Sequence, residues 1–342
     1  MDTTQRPRIR ELGMMPGELP TGPHNAITDV PGTRVGHETL HWGSPDDAEC
    51  VRTGVSVIDP VDRDLYESPV VGAAHVLNGY GKSVGLPQLL ELGQLETPIG
   101  LTNTLDVWTV ADAIVGRVLD RHSEVRSINP VVGECNDGRL HDIRGRHVTA
   151  DHVEQAFAAA TDDLPEEGCV GAGVGTTGFG WKAGIGTASR RVDANTVGAL
   201  VLTNTGRATD LRIDGLDITR FLEQSPDETS SDGSIMLIVG TDASLSARQL
   251  GRLAKRAPLG LARVGGIASH RSGDFVLAFG TGCDDHVNET DLTPLFRGVI
   301  ESIEEAIYNS LTTAVSTTGV GNETVNAIPI EAIEAAVAER SA

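Results

Sequence analysis

Aromatic residues are scarce in this sequence, in which Phe, Trp and Tyr together make up only 4 % of 342 residues. Apolar residues still account for 39 % of the chain, so a sizeable core can form, but mainly from Val, Ile, Leu and Ala. The chain also contains 40 glycines. This composition favours tightly packed sheets joined by glycine-rich turns over a helical bundle.

Positive charge is also sparse. There are 27 basic residues against 48 acidic ones, only three of the basic residues are lysines (Lys82, Lys182 and Lys255), and the formal net charge is −21. Such a surface repels phosphate backbones and anionic lipids, so we expect neither nucleic acid nor a membrane as a partner. Two explanations remain open, namely ordinary acidic solubility and adaptation to a high-salt cytoplasm in which screening removes the self-repulsion.

Several familiar sequence signals are missing. The four cysteines, Cys50, Cys135, Cys169 and Cys283, lie far apart without a CxxC pair, so neither a disulfide framework nor a zinc knuckle is indicated. The first 20 residues contain no apolar signal core, and no apolar run approaches the roughly 18–20 residues that span a bilayer. We therefore predict a soluble cytoplasmic protein without a metal or another cofactor.

Short β-like runs alternate with helical stripes, which indicates an α/β protein. We predict strands at TRVGHETL, GVSVIDP, VVGAAHVLN, PIGLTNT, VVGE, TVGALVLTN, SIMLIVG and DFVLAFG. One helix is predicted after Asp106 as its N-cap, another after Ser244 or Ser246, and a long amphipathic helix over TPLFRGVIESIEEAIYNSLTTA. The segment from Glu223 to Gly233 has the composition of a mobile, exposed linker.

Two motif look-alikes are rejected on their context. HETLH, from His37 to His41, matches a zinc-protease pattern that requires a helix. Here it lies in a strand-like run, where residues four apart are about 13 Å apart and cannot share one metal. GVGTTG, from Gly173 to Gly178, fits a dinucleotide-binding pattern, but more glycines follow it instead of a helix. We expect tight turns or a close backbone approach there.

The junction between Gly233 and Ser234 suggests chemistry. A serine follows a glycine where a loose polar loop meets an apolar strand. Its hydroxyl can attack the Gly233 carbonyl, and glycine tolerates the strained geometry that this attack requires. Cleavage would leave Ser234 with a free α-amine whose ordinary pKa of about 7.7–8.0 suits a base at neutral pH. The alternative is a Gly-Ser turn that leads into a core strand.

Seven segments resemble the L-aminopeptidase/D-esterase family, which includes β-peptidyl aminopeptidases and hydrolases of nylon oligomers. They lie in the expected order from Ile27 to Pro329: ITDVPGTRVGH, ETPIGLTNT, VVGECNDGRLHDIRGRHV, GAGVGTTGFGWKAGIGTASR, VGALVLTNTGR, GSIMLIVGTDASLSARQLGRLAKRAPLGLARVGG and SGDFVLAFGTG. The resemblance implies a single domain over residues 1–342, folded as a four-layer αββα sandwich of the ornithine acetyltransferase-like type. It also implies self-cleavage into chains of residues 1–233 and 234–342, which assemble as a homo-oligomer.

The resemblance also implies roles for individual residues. Ser234 matches the family's nucleophile, and Ser272 and Asp274 match its serine and carboxylate partners. Asn204 matches an asparagine that donates to the oxyanion, and Glu134 matches the acid that binds the free amine of the substrate. Asn136 stands where some relatives have tyrosine, so a tyrosine hydroxyl is absent from that position. Asn103 and Gly175 are expected to shape the pocket.

Three functions follow from these expectations. The first is a serine aminopeptidase that releases N-terminal residues from small peptides, amides or esters through an acyl-enzyme on Ser234. The second is an acyltransferase of the ornithine acetyltransferase type, although those enzymes expose a threonine. The third is an inactive member of the fold that acts in binding or assembly. The presence of Ser234, Ser272, Asp274, Asn204 and Glu134 argues against the third function.

Overall fold

The computed structural model describes residues 6–47, 49–222, 233–282 and 287–341. All of the predicted linker except Gly233 lies outside these ranges. The described strands are β1 (Arg34–Trp42), β2 (Val51–Asp59), β3 (Val70–Gly79), β4 (Gln94–Leu95), β5 (Ile99–Asn103), β6 (Val131–Cys135), β7 (Thr177–Gly178), β8 (Trp181–Lys182), β9 (Ile185–Val192), β10 (Asn195–Asn204), β11 (Ser234–Thr241), β12 (Gly273–Gly280), β13 (Thr317–Thr318) and β14 (Thr324–Val325). The described α-helices are α1 (Leu86–Leu92), α2 (Val107–Arg121), α3 (Ala150–Ala158), α4 (Ala247–Ala254), α5 (Ala257–Val264), α6 (Leu292–Thr312) and α7 (Ile330–Ser341).

Two main sheets organise the chain. One has four strands in the order β1-β2-β5-β6, and the other has six in the order β4-β3-β12-β11-β10-β9. Most neighbouring strands are antiparallel, but β5 and β6 run parallel, and so do β11 and β12. Two short pairs, β7-β8 and β13-β14, stand outside these sheets. All eight predicted strand segments are confirmed.

Three apolar layers hold the sheets and helices together. The layer between the two sheets includes Ile58, Leu101, Leu200, Met236 and Leu277, all of them buried. A second layer lies between the six-stranded sheet and helices α4, α5 and α6, and a third lies between the four-stranded sheet and helices α2 and α3. The order of layers is therefore helix, sheet, sheet, helix, which confirms the predicted αββα architecture.

The predicted helices are present with two changes in detail. Helix α2 follows Asp106, but the Asp106 carboxylate accepts from the Asn103 amide at 2.7 Å instead of capping the helix. The segment after Ser246 forms two helices, α4 and α5, instead of one. Ser246 is the cap of α4, because its hydroxyl oxygen accepts from the Gln249 backbone N–H at 3.3 Å.

The predicted long amphipathic helix is α6, and several of its acidic residues are buried. Glu301 and Glu305 are at most 1 % exposed. Arg190 contacts both carboxylates, and Arg10 adds a second ion pair to Glu305 at 2.7 Å. Arg190 comes from β9, which was not among the predicted strands. Arginine can satisfy buried carboxylates because its guanidinium donates several hydrogen bonds in fixed directions.

Candidate active site

Ser234 is the first residue of β11, in the middle of the six-stranded sheet. It pairs with Asn204, the last residue of β10, on one side and with Gly273, the first residue of β12, on the other. Ser234 is only 6 % exposed. The Asn204 side-chain amide donates to its Oγ at 3.5 Å. The strand pairing therefore brings one hydroxyl and one amide donor together at the same end of two neighbouring inner strands.

Gly233 is packed tightly against the neighbouring strand. A Cβ atom at this position would lie 2.3 Å from the Asn204 carbonyl oxygen and 2.8 Å from the Thr205 Cα, so only glycine fits. The Gly233 carbonyl oxygen accepts from the Gly273 backbone N–H at 3.0 Å. The carbonyl that precedes Ser234 is thus held in place and already hydrogen-bonded to a backbone donor.

The glycine-rich segment from Gly173 to Gly178 orients Asn204. The Thr177 backbone N–H donates to Asn204 Oδ1 at 3.0 Å, which turns the amide nitrogen of Asn204 toward Ser234. The segment starts at the last residue of a 3-10 turn (Gly171–Gly173) and ends with the short strand β7. It has neither the strand before it nor the helix after it that a dinucleotide site requires, and its contact with Asn204 matches the close backbone approach expected for it.

Ser272 and Asp274 form a buried pair beside Ser234. The Ser272 hydroxyl donates to Asp274 Oδ1 at 2.7 Å, and both residues are at most 1 % exposed. Among the described residues, Asp274 Oδ2 has no hydrogen-bond partner. Burial raises the pKa of the Asp274 carboxyl to about 6, and the hydrogen bond from Ser272 opposes this rise only in part.

Glu134 lies near the end of β6 and is 4 % exposed. Its Oε1 accepts from the Lys82 backbone N–H at 3.0 Å, and its Oε2 accepts from the Thr104 hydroxyl. Gly81 separates this carboxylate from Phe275, since a Cβ there would lie 2.4 Å from the Phe275 ring and 3.3 Å from Glu134 Oε1. Two donors therefore fix the carboxylate in one orientation.

One cleft of about 320 Å³ joins five of the predicted site residues, namely Glu134, Asn136, Asn204, Gly233 and Ser234. Asn136 is exposed, and its side-chain oxygen accepts from the Gly138 backbone N–H at 3.0 Å. Ser272 and Asp274 do not line the cleft; Ser272 immediately precedes β12 and Asp274 is its second residue. The cleft therefore combines a hydroxyl, an amide donor and a carboxylate, from the residues to which the resemblance assigns the nucleophile, the oxyanion donor and the amine-binding acid.

The expectation that Asn103 and Gly175 shape the pocket is not met, because neither residue lines the cleft. Asn103 is buried, and its amide donates to Thr53 and Asp106. A Cβ at Gly175 would lie 2.3 Å from the Arg52 carbonyl oxygen, so this glycine permits close packing.

Sequence reasoning missed a group of residues that border the cleft and Ser234. Tyr80, Lys82, Thr104, Arg139, Thr177 and Arg271 line the cleft, and the Cys135 side chain reaches Ser234. The Cys135 thiol donates to the Leu202 carbonyl at 3.4 Å, and burial raises its pKa well above the ordinary value. The scarcity of lysine could have directed attention to Lys82, but no local pattern connects the three cations.

The HETLH segment lies within β1, as predicted, and the His37 ring contacts Ser56 at 2.8 Å. Over the described ranges, no three His, Cys, Asp or Glu side chains are grouped so that they could hold a metal ion. No helix in the same ranges is long and apolar enough to cross a membrane.

Comparison with known proteins gives consistent matches. Residues 25–325 match the family model described as peptidase family S58. A β-peptidyl aminopeptidase from Sphingosinicella xenopeptidilytica is 38 % identical over 94 % of this chain and 89 % of its own length. Among solved structures, a β-aminopeptidase from Burkholderia sp. is 40 % identical with a TM-score of 0.92, covering 97 % of this chain and 99 % of that chain.

The L-aminopeptidase D-Ala-esterase/amidase from Ochrobactrum anthropi, described as a variant of the Ntn hydrolase fold, superposes with a TM-score of 0.89. It is 31 % identical, covering 98 % of this chain and 99 % of that chain. The family match and these relatives cover nearly the whole chain. The chain belongs to peptidase family S58, the family of serine aminopeptidases that its sequence motifs resemble.

Proposed function

We propose that this protein is a self-processing serine aminopeptidase that releases N-terminal residues from small peptides, amides or esters. The observation that carries the proposal is the single cleft in which Ser234, Asn204 and Glu134 meet. The relatives described above are named aminopeptidases or amidases. Their activities favour a hydrolase over an acyltransferase or an inactive binding protein.

The first step of the proposal is cleavage of the Gly233–Ser234 bond. Ser234 Oγ attacks the Gly233 carbonyl carbon, the C–N bond breaks, and the acyl group moves from nitrogen to oxygen. The Gly273 N–H, 3.0 Å from the Gly233 oxygen, is placed to stabilise the negative charge that develops there. Water then hydrolyses the ester, leaving a carboxylate on Gly233 and a free α-amine on Ser234. The products are chains of residues 1–233 and 234–342.

The second step uses the new terminus for catalysis. The Ser234 α-amine, with an ordinary pKa of about 7.7–8.0, takes the proton from its own hydroxyl as Oγ attacks the substrate carbonyl. The Asn204 amide donates to the resulting oxyanion. The protonated α-amine then gives its proton to the leaving amine, and an acyl-enzyme remains on Oγ. Water releases the acyl group. The buried carboxylate of Asp274, hydrogen-bonded to Ser272, supports the positive charge on the amine.

Glu134 accounts for the restriction to N-terminal residues, because its fixed carboxylate can pair with a substrate ammonium and an internal peptide bond offers none. A direct test compares alanyl-p-nitroanilide with its N-acetylated form, and a serine aminopeptidase should hydrolyse only the first. Equal hydrolysis of both substrates would refute the aminopeptidase assignment. Hydrolysis of neither substrate by the processed protein would favour a binding role.

Replacing Asn204 with alanine should lower kcat about 100-fold with little change in KM, because the amide contacts the oxyanion and not the ground-state substrate. The measurement is steady-state hydrolysis by the processed enzyme. Asn195→Ala, at the opposite end of β10, is the matched control for an asparagine lost from this strand. A loss that appears only in KM would contradict an oxyanion role for Asn204.

The pH dependence of kcat/KM should show the protonation of the Asp274 carboxylate. Because its pKa is raised to about 6, the carboxylate is ionised above that pH and protonated below it. As pH falls below about 8, protonation of the Ser234 amine should lower log kcat/KM with a slope of about one. Below about pH 6, protonation of Asp274 should steepen the slope toward two. Asp274→Asn should lose the second break and move the first to lower pH, because the Ser234 ammonium loses the carboxylate that supports its charge. A break near pH 6 that survives this substitution would assign it to another group.

We also propose a cytoplasmic location, assembly of the processed chains into a homo-oligomer, and adaptation of the acidic surface to high salt. The net charge of −21 supports the last point, because mutual repulsion of the carboxylates weakens as salt screens them. The free energy of unfolding should therefore rise from low to molar salt. Denaturant titration at both concentrations measures this rise, and equal stability would leave ordinary solubility as the explanation.

A further inference from the structure

The described residues of the cleft differ in net charge from the chain as a whole. Among them, Lys82, Arg139 and Arg271 carry cationic side chains and Glu134 carries the one carboxylate. The chain as a whole carries a net charge of −21 and contains only three lysines. A local excess of positive charge around the candidate catalytic serine is therefore not a consequence of composition.

Three separate parts of the chain supply these cations. Lys82 follows β3, Arg139 follows β6, and Arg271 precedes β12. Arg139 is ion-paired with Glu323 at 2.6 Å, so its charge is partly compensated. Lys82 and Arg271 are exposed to solvent. The Lys82 ammonium lies 5.2 Å from the centre of the Tyr80 ring, and among the described residues it has no ion pair with a carboxylate.

The anionic and cationic groups of the cleft are connected through the backbone. Glu134 Oε1 accepts from the backbone N–H of Lys82 itself, so the position of the buried carboxylate is coupled to the segment that carries the exposed ammonium. Arg271 is adjacent to Ser272, whose hydroxyl is bonded to Asp274. A ligand that reaches Ser234 therefore meets one buried negative charge and exposed positive charges within the same cleft.

The size of the cleft limits the ligand. At about 320 Å³, it lies near the lower end of the range of about 300–1,000 Å³ that is typical of small-molecule sites. A short peptide fits this volume, and a free dipeptide carries an ammonium at one end and a carboxylate at the other. We propose that the cleft selects short peptides with an unblocked C-terminal carboxylate, which Lys82 and Arg271 bind while Glu134 binds the amine.

This selectivity rests on the proposed aminopeptidase function and specifies its substrate class. The strongly acidic surface repels an anionic group at a distance, whereas cations within the cleft attract it over the Debye length of about 8–10 Å. The interactions of Lys82 and Arg271 with the substrate carboxylate should affect substrate binding more than the chemical step. Their contribution should therefore appear mainly in KM.

The experiment compares alanyl-alanine with alanyl-alanine amide, which share the amine and the scissile bond and differ only in the carboxylate. At low salt, kcat/KM for the free acid should exceed that for the amide about tenfold, mainly through KM. The ratio should fall toward one as salt is raised. A ratio of one or less at low salt would overturn the proposal. This comparison uses the wild-type protein and does not depend on any variant folding correctly.

Variants then assign the effect to residues. Lys82→Gln and Arg271→Gln should each lower the ratio of acid to amide about three- to fivefold, and the double variant should bring it close to one. Lys255→Gln and Arg248→Gln, which remove exposed cations outside the cleft, should leave the ratio unchanged. An equal effect of these controls would mean that overall charge, and not the cleft, sets the preference.

The outcomes separate the two proposals. If alanyl-p-nitroanilide is hydrolysed but the two dipeptide substrates are turned over equally, or not at all, the carboxylate selectivity is wrong and the aminopeptidase function stands. If the processed protein hydrolyses none of the three substrates, the aminopeptidase function itself fails and the selectivity fails with it.

Discussion

Ser234→Ala should yield an uncut chain of 342 residues that hydrolyses aminoacyl amides at least about 1,000-fold more slowly than the wild type. In the proposed mechanism one hydroxyl attacks first Gly233 and then the substrate, so its removal should abolish both activities together. Intact mass spectrometry of the purified variant measures the first effect, and p-nitroanilide hydrolysis measures the second.

Ser234→Thr is the informative companion, because threonine keeps the hydroxyl and adds one methyl group at a position that is 6 % exposed. Slow but detectable processing is expected from this variant. The space around Ser234 is limited, since the residue lies between β10 and β12 and the Cys135 side chain reaches it. An alanine variant that is cleaved at the same position would rule out Ser234 as the internal nucleophile.

Glu134→Gln should lower kcat/KM for alanyl-p-nitroanilide by about 100- to 1,000-fold, because the ammonium of the substrate loses a buried anionic partner. Glutamine preserves the size of the side chain and can still accept from the Lys82 N–H, so the fold of the cleft should be retained. Thermal unfolding of the variant checks that point independently.

The matched control for this variant is Glu154→Gln, which removes a carboxylate that pairs with Arg117 outside the cleft. It should leave kcat/KM within about twofold of the wild type, as expected for a surface ion pair. Full activity of Glu134→Gln toward substrates with a free amine would contradict the anchoring role. The substrate ammonium would then have to be bound elsewhere.

The sequence predicted most strands of the two main sheets. All eight predicted segments form strands there, because their apolar or alternating patterns are local. It did not predict β9, in which glycine and arginine interrupt the apolar pattern and Arg190 is buried among carboxylates. Nor did the sequence indicate how the buried carboxylates of α6 are neutralised. The charges that neutralise Glu305 come from Arg190 and from Arg10, which is 295 residues away in sequence.

The residues of the candidate site were also predicted only in part. Ser234, Asn204 and Glu134 were identified through segments that resemble a known family, and the strands that carry them meet at one cleft. The three cationic side chains of the cleft were not predicted, because Lys82, Arg139 and Arg271 lie on three loops that only tertiary structure brings together. Local patterns cannot indicate such a group. The positions of the two exposed cations nevertheless lead to the substrate selectivity proposed above.

The central claim is that Ser234 becomes a chain terminus and then acts as nucleophile and base. Intact mass spectrometry, followed in time alongside aminoacyl-p-nitroanilide hydrolysis on the same sample, tests it most directly. We predict two polypeptides corresponding to residues 1–233 and 234–342, with activity that rises in proportion to their formation. A sample that remains one uncut polypeptide and hydrolyses the substrate at full rate would contradict the claim.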